Sequence, residues 1–427
     1  MPSDDQESPG PPRSQPRATH GLLFDWNAAA RPAHAPGVVD ETLRDGLQSP
    51  SAKDPPIARK LELLRRAAGL GIDCFALGFP ASHRRQYDDA LRLAQEVARE
   101  RLPIEVCCAA RTLEADILPI IELSQRAGLR VQVGMFIGSS PIRQTTEGWD
   151  VAQVLRLSET ALELALRNGL EVLYVTEDST RSHPETLRQL YQAAVRAGAQ
   201  RVCVADTVGQ ATPEGASRIV SFVRDIVSEL DPRVSVEWHG HRDRGLDVAN
   251  CLAAWLAGAA RCHGTALGIG ERVGNAPIEL LLVNLALLEW RRFDLTGLPD
   301  YVQAAASALG FEVPAQHPVV GADAFRTATG AHAAALSKAL SLGDRWLADR
   351  VFSSVPAEWL GRAQRLDVGP FSGEANVAAW LSAHGIEPSL ANVRRLLDAA
   401  KQANAVLSEA EISKLLGPEL VRTSPER

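Results

Sequence analysis

The stretch RVSVEWHGHRDRG, Arg233 to Gly245, decides the fold and points to a site at the same time. Its opening RVSVE reads as a β-strand, and HGH follows at once. In an extended backbone, side chains two apart share a face, so His239 and His241 can reach one point at the strand's end. The chain has ten histidines in 427 residues, and two of them in this pattern have metal-ligand geometry.

Working outward, short apolar, β-branched runs of the same kind recur: GVVDET, GIDCFALG, PIEVCCAA, LRVQVGMFIG, LEVLYVTED, QRVCVADT, RVSVEWHGH and ARCHGTALGIG. Between them, segments such as IARKLELLRRAAGLG and PETLRQLYQAAVRAGAQ carry helical apolar spacing and end at glycine, which favours the left-handed C-terminal position of a helix. The repeat of about 30 residues is a β/α unit. Eight such units over roughly 250 residues predict an α/β fold, a (β/α)8 TIM barrel. An open doubly wound sheet would use fewer strands.

The domain plan follows from composition. Residues 1–35, rich in Pro, Ser and charge, read as a disordered extension. The barrel takes 36–290 and closes on the helix IELLLVNLALLEW, 291–312 is a linker, and 313–427 is a mostly helical C-terminal domain.

At 45% hydrophobic the chain buries a large core, and a net charge of -7 offers no basic stripe for nucleic acid. No window approaches eighteen consecutive apolar residues and the N-terminus has no apolar signal core, so a cytoplasmic protein without a membrane span is expected. Six cysteines lie inside apolar runs rather than in CxxC pairs, as buried thiols do in a reducing compartment. GIGERVGN follows the last strand and lacks a following βαβ unit, so no NAD site is implied.

In a barrel the carboxyl ends of the strands converge on one mouth. Here those ends carry DETLRDG (Asp40 to Gly46), EDSTRS (Glu177 to Ser182), ADTVG (Ala205 to Gly209), HGH, and GERVGN (Gly270 to Asn275). Two imidazoles, a carboxylate and an amide oxygen suit a borderline to hard divalent cation and leave room for substrate. The expected ligands are Asp45, His239 and His241, with Asn275.

Taken together, DETLRDG, GFPAS, TEDSTRS, ADTVG, HGHRDRG and GERVGN, in this order and spacing, resemble the metal-dependent acyl-CoA:2-oxoacid synthases, which include 2-isopropylmalate, homocitrate and citramalate synthases. The resemblance runs from about residue 38 through HPVVG and TATGAH in the tail. It implies a Claisen condensation between an acyl-CoA, acetyl-CoA being the expected cosubstrate, and a 2-oxo acid chelated to one divalent ion (Zn, Mn or Mg). Thioester hydrolysis then yields a 2-hydroxy-2-alkyl diacid. A cation stabilises the developing alkoxide by several kcal/mol.

On this resemblance Arg44 holds the ketone oxygen, Thr207 the oxo-acid carboxylate, and Glu177 orients substrate or moves protons. His332, in TATGAH, is the candidate base reaching the barrel of a partner subunit, which implies a homodimer. Arg242 stands where the family commonly has the asparagine of HxHND; as a cation it would recruit an acidic substrate group or pair with Asp243 or Asp206. Ala76 and Gly134 replace an acidic residue and a histidine often found in the family, and Val351 and Phe352 lie where a tyrosine is usual, so a larger or differently polar 2-oxo acid is expected. The chain stops after the helical tail, without the long regulatory domain of leucine-pathway synthases, so no leucine feedback through such a domain is expected. Two other readings use the same residues: a metal-dependent carbon–carbon lyase or aldolase, and a diverged barrel that binds ligand without turnover.

Overall fold

The computed structural model describes residues 21–27 and 30–417, and the chain divides into two compact units, up to Arg31 and from Pro32 onward. In the first unit Asn27 N donates to Asp25 Oδ1 at 2.8 Å, and the Phe24 and Trp26 rings meet edge to face. Most of the 1–35 extension lies outside the described residues.

In the second unit the eight expected runs become eight strands of one closed parallel barrel, in sequence order. They are β1 (Gly37–Asp40), β2 (Cys74–Ala76), β3 (Glu105–Arg111), β4 (Gln132–Gly138), β5 (Glu171–Glu177), β6 (Arg201–Asp206), β7 (Ser235–Gly240) and β8 (Arg261–Gly264). β8 pairs back on β1 in the register Val38↔Cys262 and Val39↔His263, which removes both sheet edges.

Alternation sorts the side chains. Val38, Phe75, Val106, Val133, Val172 and Trp238 face outward into the helix layer and belong to the large core, whereas Val39, Cys74, Ala76 and Cys107 form a separate cluster inside the barrel. The outward residues supply most of the hydrophobic stabilisation, at about 1.5–3 kcal/mol for each large aliphatic side chain fully buried. The inward positions are left to carry chemistry.

The stretch expected as a linker is different in the structure. Residues 291–312 contain the helix Leu298–Leu309, which packs on the helix Ile57–Gly69. Its Leu298, Tyr301, Val302, Ala305 and Leu309 are buried, so the segment belongs to the barrel wall rather than spacing two domains. Its apolar face is masked in the sequence by the DLTG turn residues at 294–297 and the proline in its first turn, which dominate the pattern.

Tyr301 ties that helix to β1: its hydroxyl bonds to Asp40 Oδ2, while Asp40 Oδ1 accepts from Thr42 N at 2.8 Å. Burial pushes the Asp40 carboxyl up to about 6, against the opposing hydrogen bonds from Thr42 and Tyr301. A folded-state pKa above the unfolded value means that the folded chain holds the proton more tightly. The associated stability is present below about pH 4 and is lost as pH rises through 6. Relative to Asp40→Asn, the wild-type unfolding free energy should therefore fall by up to about 3 kcal/mol between pH 4 and 7, measured by urea unfolding across that range. A difference between the two proteins that stays flat with pH would refute this.

Beyond residue 313 the chain is mainly helical, with Gly330–Ser341, Glu374–Ala383, Leu390–Gln402 and Glu409–Leu416 as its longer helices. A separate small core of Val377, Trp380, Leu381, Leu396, Ile412 and their neighbours holds the last three together. The final helix starts on a capping box in which Ser408 and Glu411 satisfy each other's backbone N–H groups. Among the described residues no helix is long and apolar enough to cross a membrane.

Candidate active site and metal centre

β7 delivers its two imidazoles as alternation requires. His239 Nε2 and His241 Nε2 lie 3.4 Å apart, and each is 3.7 Å from Asp45 Oδ2. All three side chains are buried. The residue between the histidines is glycine for a steric reason: a Cβ at Gly240 would lie 2.8 Å from the Trp238 indole nitrogen.

Asp45 sits in the turn after β1 and is fixed on every side. Its Oδ1 accepts from Glu271 N at 3.0 Å and from Asn275 Nδ2 at 2.7 Å, and its Oδ2 accepts from Arg44 Nη1 at 3.0 Å. Burial alone would raise its pKa, but the Arg44 guanidinium, followed by His241 and His239, holds it down at about 2. The GERVGN loop is drawn over the site by a bridge between His241 and Asn275. Gly270 in that loop has no room for a side chain, since a Cβ would lie 2.5 Å from Asp45 Oδ1.

The donor set fits a cation. Burial lowers the pKa of both His239 and His241, so both rings are neutral near pH 7 and each can offer a lone pair beside an ionised carboxylate. Asn275 Oδ1 is buried and has no hydrogen-bond partner, so it is available as a fourth donor beside the two nitrogens and the carboxylate oxygen. Glu41, His239 and His263 are also close enough to share an ion. That second grouping is already compensated. His263 Nδ1 lies 3.1 Å from Glu41 and its Nε2 3.0 Å from Glu237. Burial opposes its charge, yet these two carboxylates raise its pKa to about 9. A protonated ring has no lone pair for a metal.

Arg44 is the hinge of this network: its Nε donates to Glu41 Oε2 at 2.6 Å and its Nη1 to Asp45, which leaves Nη2 available to a ligand. Glu41 is held well below the usual carboxylate range by Arg44 and His263 despite complete burial. Glu41, His263 and Glu237 were not assigned roles from sequence. The signal was present: Glu237 lies two before His239 on the inward face, and His263 occupies an inward position of β8.

These groups open into a cavity of about 220 Å³ whose walls include Arg44, Asp45, Glu177, Thr207, His239 and His241. Thr207 Oγ1 accepts from Asp178 N at 2.8 Å, so its own O–H is free to donate inward. Glu177 is raised above the ordinary carboxylate value by burial, opposed by Arg143, whose Nε is 3.1 Å from Glu177 Oε1.

Arg242 and His332 are not brought to this cavity, and Asn275 meets it only through its bond to Asp45. Arg242 turns away, donating from Nε to Val273 O at 2.6 Å and from Nη1 to Leu267 O at 3.4 Å, and it lines a neighbouring cleft of about 420 Å³. The strand ends at Gly240, and beyond it the carbonyls of Val273 and Leu267 take the Arg242 guanidinium. Neither expected ion pair forms. Asp243 is taken by Arg272 at 2.9 Å, and Asp206 accepts from Thr180 Oγ1 at 2.7 Å. His332 is exposed on the helix Gly330–Ser341, stacked on Phe352 with centroids 3.9 Å apart, and is not among the cavity-lining side chains of its own chain.

Comparison with known proteins places the whole barrel in one group. A family model described as HMGL-like matches residues 35–303. A homocitrate synthase of Methanopyrus kandleri is 31% identical over 372 residues, which is 85% of this chain and 86% of that protein. A 2-isopropylmalate synthase of Methylacidiphilum infernorum is 33% identical over 306 residues, 69% of this chain and 58% of that protein. An (R)-citramalate synthase of Methanocaldococcus jannaschii is 29% identical over 86% of this chain and 70% of that protein. Among solved structures, the hydroxymethylglutaryl-CoA lyase of Pseudomonas aeruginosa superposes with a TM-score of 0.54 at 21% identity, covering 66% of this chain and 95% of its own, a likeness of fold.

Proposed function

The chain belongs to the HMGL-like family, and from that premise we propose that it is a condensing synthase, a transferase that joins an acyl-CoA to a 2-oxo acid and releases the thiol. The observation that carries this reading is the convergence of Asp45 Oδ2 and the two imidazole Nε2 atoms, 3.4–3.7 Å from one another, beside Arg44. A divalent cation bound there would polarise a ketone and offset charge on its oxygen.

The chain's own residues supply the rest. Arg44, clamped by Glu41 and Asp45, presents Nη2 to the ketone oxygen without reorganising, and its charge is permanent. Thr207 donates its free O–H to the substrate carboxylate. Glu177, with one oxygen facing Arg143, has its other oxygen for holding or passing a proton at the cavity wall. Acetyl-CoA is the proposed cosubstrate and the cytoplasm the proposed compartment.

Purified protein stripped with a chelator should release no thiol from acetyl-CoA and a panel of 2-oxo acids, and Mn, Mg or Zn should restore release. Thiol-independent cleavage of a hydroxy acid under the same conditions, with no condensation, would favour a lyase instead.

For His332 we propose a role in trans, from the tail of a partner subunit in a homodimer. Its support is that the ring is exposed and lies outside the cavity of its own chain. His332→Ala and Asp45→Asn should each be inactive alone, and a mixture refolded together should recover thiol release, since one intact barrel then meets one intact tail. A mixture that stays inactive while forming heterodimers would place His332 outside the reaction.

A further inference from the structure

The inner surface of the barrel is divided by chemistry. β7, β8 and the end of β1 contribute Glu237, His239, His241, His263 and Glu41, which are charged or polar. The opposite arc, β2 to β6, lines the cavity with Ala76, Cys107, Gly134, Phe136, Leu173 and Cys203. A 2-oxo acid whose carbonyl and carboxylate face Arg44 and Thr207 therefore turns its remaining side chain toward an apolar wall.

Gly134 is the revealing position on that wall. It lies in mid-strand, paired with Ala109 on β3 and Leu173 on β5, and its backbone is not left-handed. A Cβ built there would meet only Cys108 O, at 3.7 Å, an ordinary contact. Gly240 and Gly270 are glycine because their surroundings leave no room; at Gly134 no turn and no close approach requires one. The missing side chain is space in the cavity.

The charge balance fixes the kind of group that fills it. Glu41, Asp45, Glu177 and Glu271 line the cavity, and its one arginine, Arg44, already faces two of them. The other cationic side chain on the wall, His263, is held between Glu41 and Glu237, so a second carboxylate on the substrate would be buried without an uncommitted cationic side chain to pair with, at a cost of several kcal/mol. The cavity has a volume of about 220 Å³. A methyl side chain makes less contact with the apolar arc than a longer apolar one, and each methylene missing from such a pocket costs about tenfold or more in kcat/KM.

Resting on the condensing-synthase reading, we propose that Gly134 sets the length of side chain the site accepts, and that the substrate is a 2-oxo acid with an uncharged apolar side chain of roughly three carbons or more. The test measures thiol release from acetyl-CoA with pyruvate, 2-oxoisovalerate, 2-oxo-4-methylpentanoate and 2-oxoglutarate, for the wild type, Gly134→Ala and Gly134→Leu. In the wild type the two branched acids should exceed pyruvate at least about tenfold in kcat/KM, with 2-oxoglutarate poorest. Gly134→Leu should lower that ratio about tenfold or more, with Gly134→Ala between, and Gly134→Ala carries the comparison if the larger residue prevents folding. A wild type that prefers 2-oxoglutarate or pyruvate, or a ratio unmoved by either variant, would overturn the inference while leaving the synthase intact.

If no acid releases thiol, the synthase reading fails by itself. The pocket is then read from the rise in Tm that each acid causes in metal-loaded protein. The same order of acids, compressed by the variants, supports the inference, and equal shifts refute it.

Discussion

Asp45→Asn is expected to lower thiol release about a thousandfold and to abolish retention of a divalent cation through gel filtration. That factor corresponds to the several kcal/mol a polarising cation contributes. The substitution is almost isosteric, and the introduced asparagine can still accept from Glu271 N and Asn275 Nδ2 through its remaining oxygen. Its amide nitrogen then stands where Oδ2 stood, facing His239 and His241, and the bond that Oδ2 accepted from Arg44 Nη1 is lost. It would donate to an imidazole lone pair rather than share a metal. Burial keeps both rings neutral, and the lost Asp45 charge was raising their pKa values, so neither ring becomes cationic as a result. The fold should survive and only the centre should close. A variant that keeps one tightly bound cation per chain and activity within about tenfold of wild type would remove Asp45 from the ligand set.

The second large effect is at Arg44. Arg44→Lys should retain the cation, since Asp45, His239 and His241 are untouched, yet lose about a hundredfold to a thousandfold in kcat, as expected for deletion of one preorganised donor. Lysine keeps the charge but is a point donor. It cannot bridge Glu41 and Asp45 and still present a third N–H at a fixed angle. The loss should fall mainly on kcat, because the interaction strengthens as charge develops on the ketone oxygen. Steady-state kinetics together with metal analysis would decide it. A variant whose KM rises while kcat holds would make Arg44 a ground-state binding residue only.

Both effects depend on a network whose two ends differed in how readable they were. The two histidines are two apart in a strand and so share a face, and Asp45 completes a donor set of readable type, whereas the role of Arg44 came from the resemblance of DETLRDG to the synthases. Glu41 was in the same motif without a role, because its partner His263 is 222 positions away and meets it only after β8 closes against β1. The apolar arc was equally hidden. Ala76 and Gly134 were noticed as small residues, but sequence left open whether the space they leave is larger or differently polar. The answer needed Cys107, Leu173 and Cys203 beside them on neighbouring strands.

The sequence alone determined what repeats at short range: eight strands about 30 residues apart, the inward or outward sense of each strand residue, and hence the barrel and the convergence of His239 and His241 at one strand end. Only the tertiary structure decided where side chains go once a strand has ended. It turned Arg242 onto the carbonyls of Val273 and Leu267, made the 291–312 stretch part of the barrel wall through Tyr301, and left His332 outside its own cavity. The physical reason is one of range: periodicity is imposed by a residue's immediate backbone, whereas direction beyond a strand end is set by whichever distant segment supplies the missing hydrogen bond or charge.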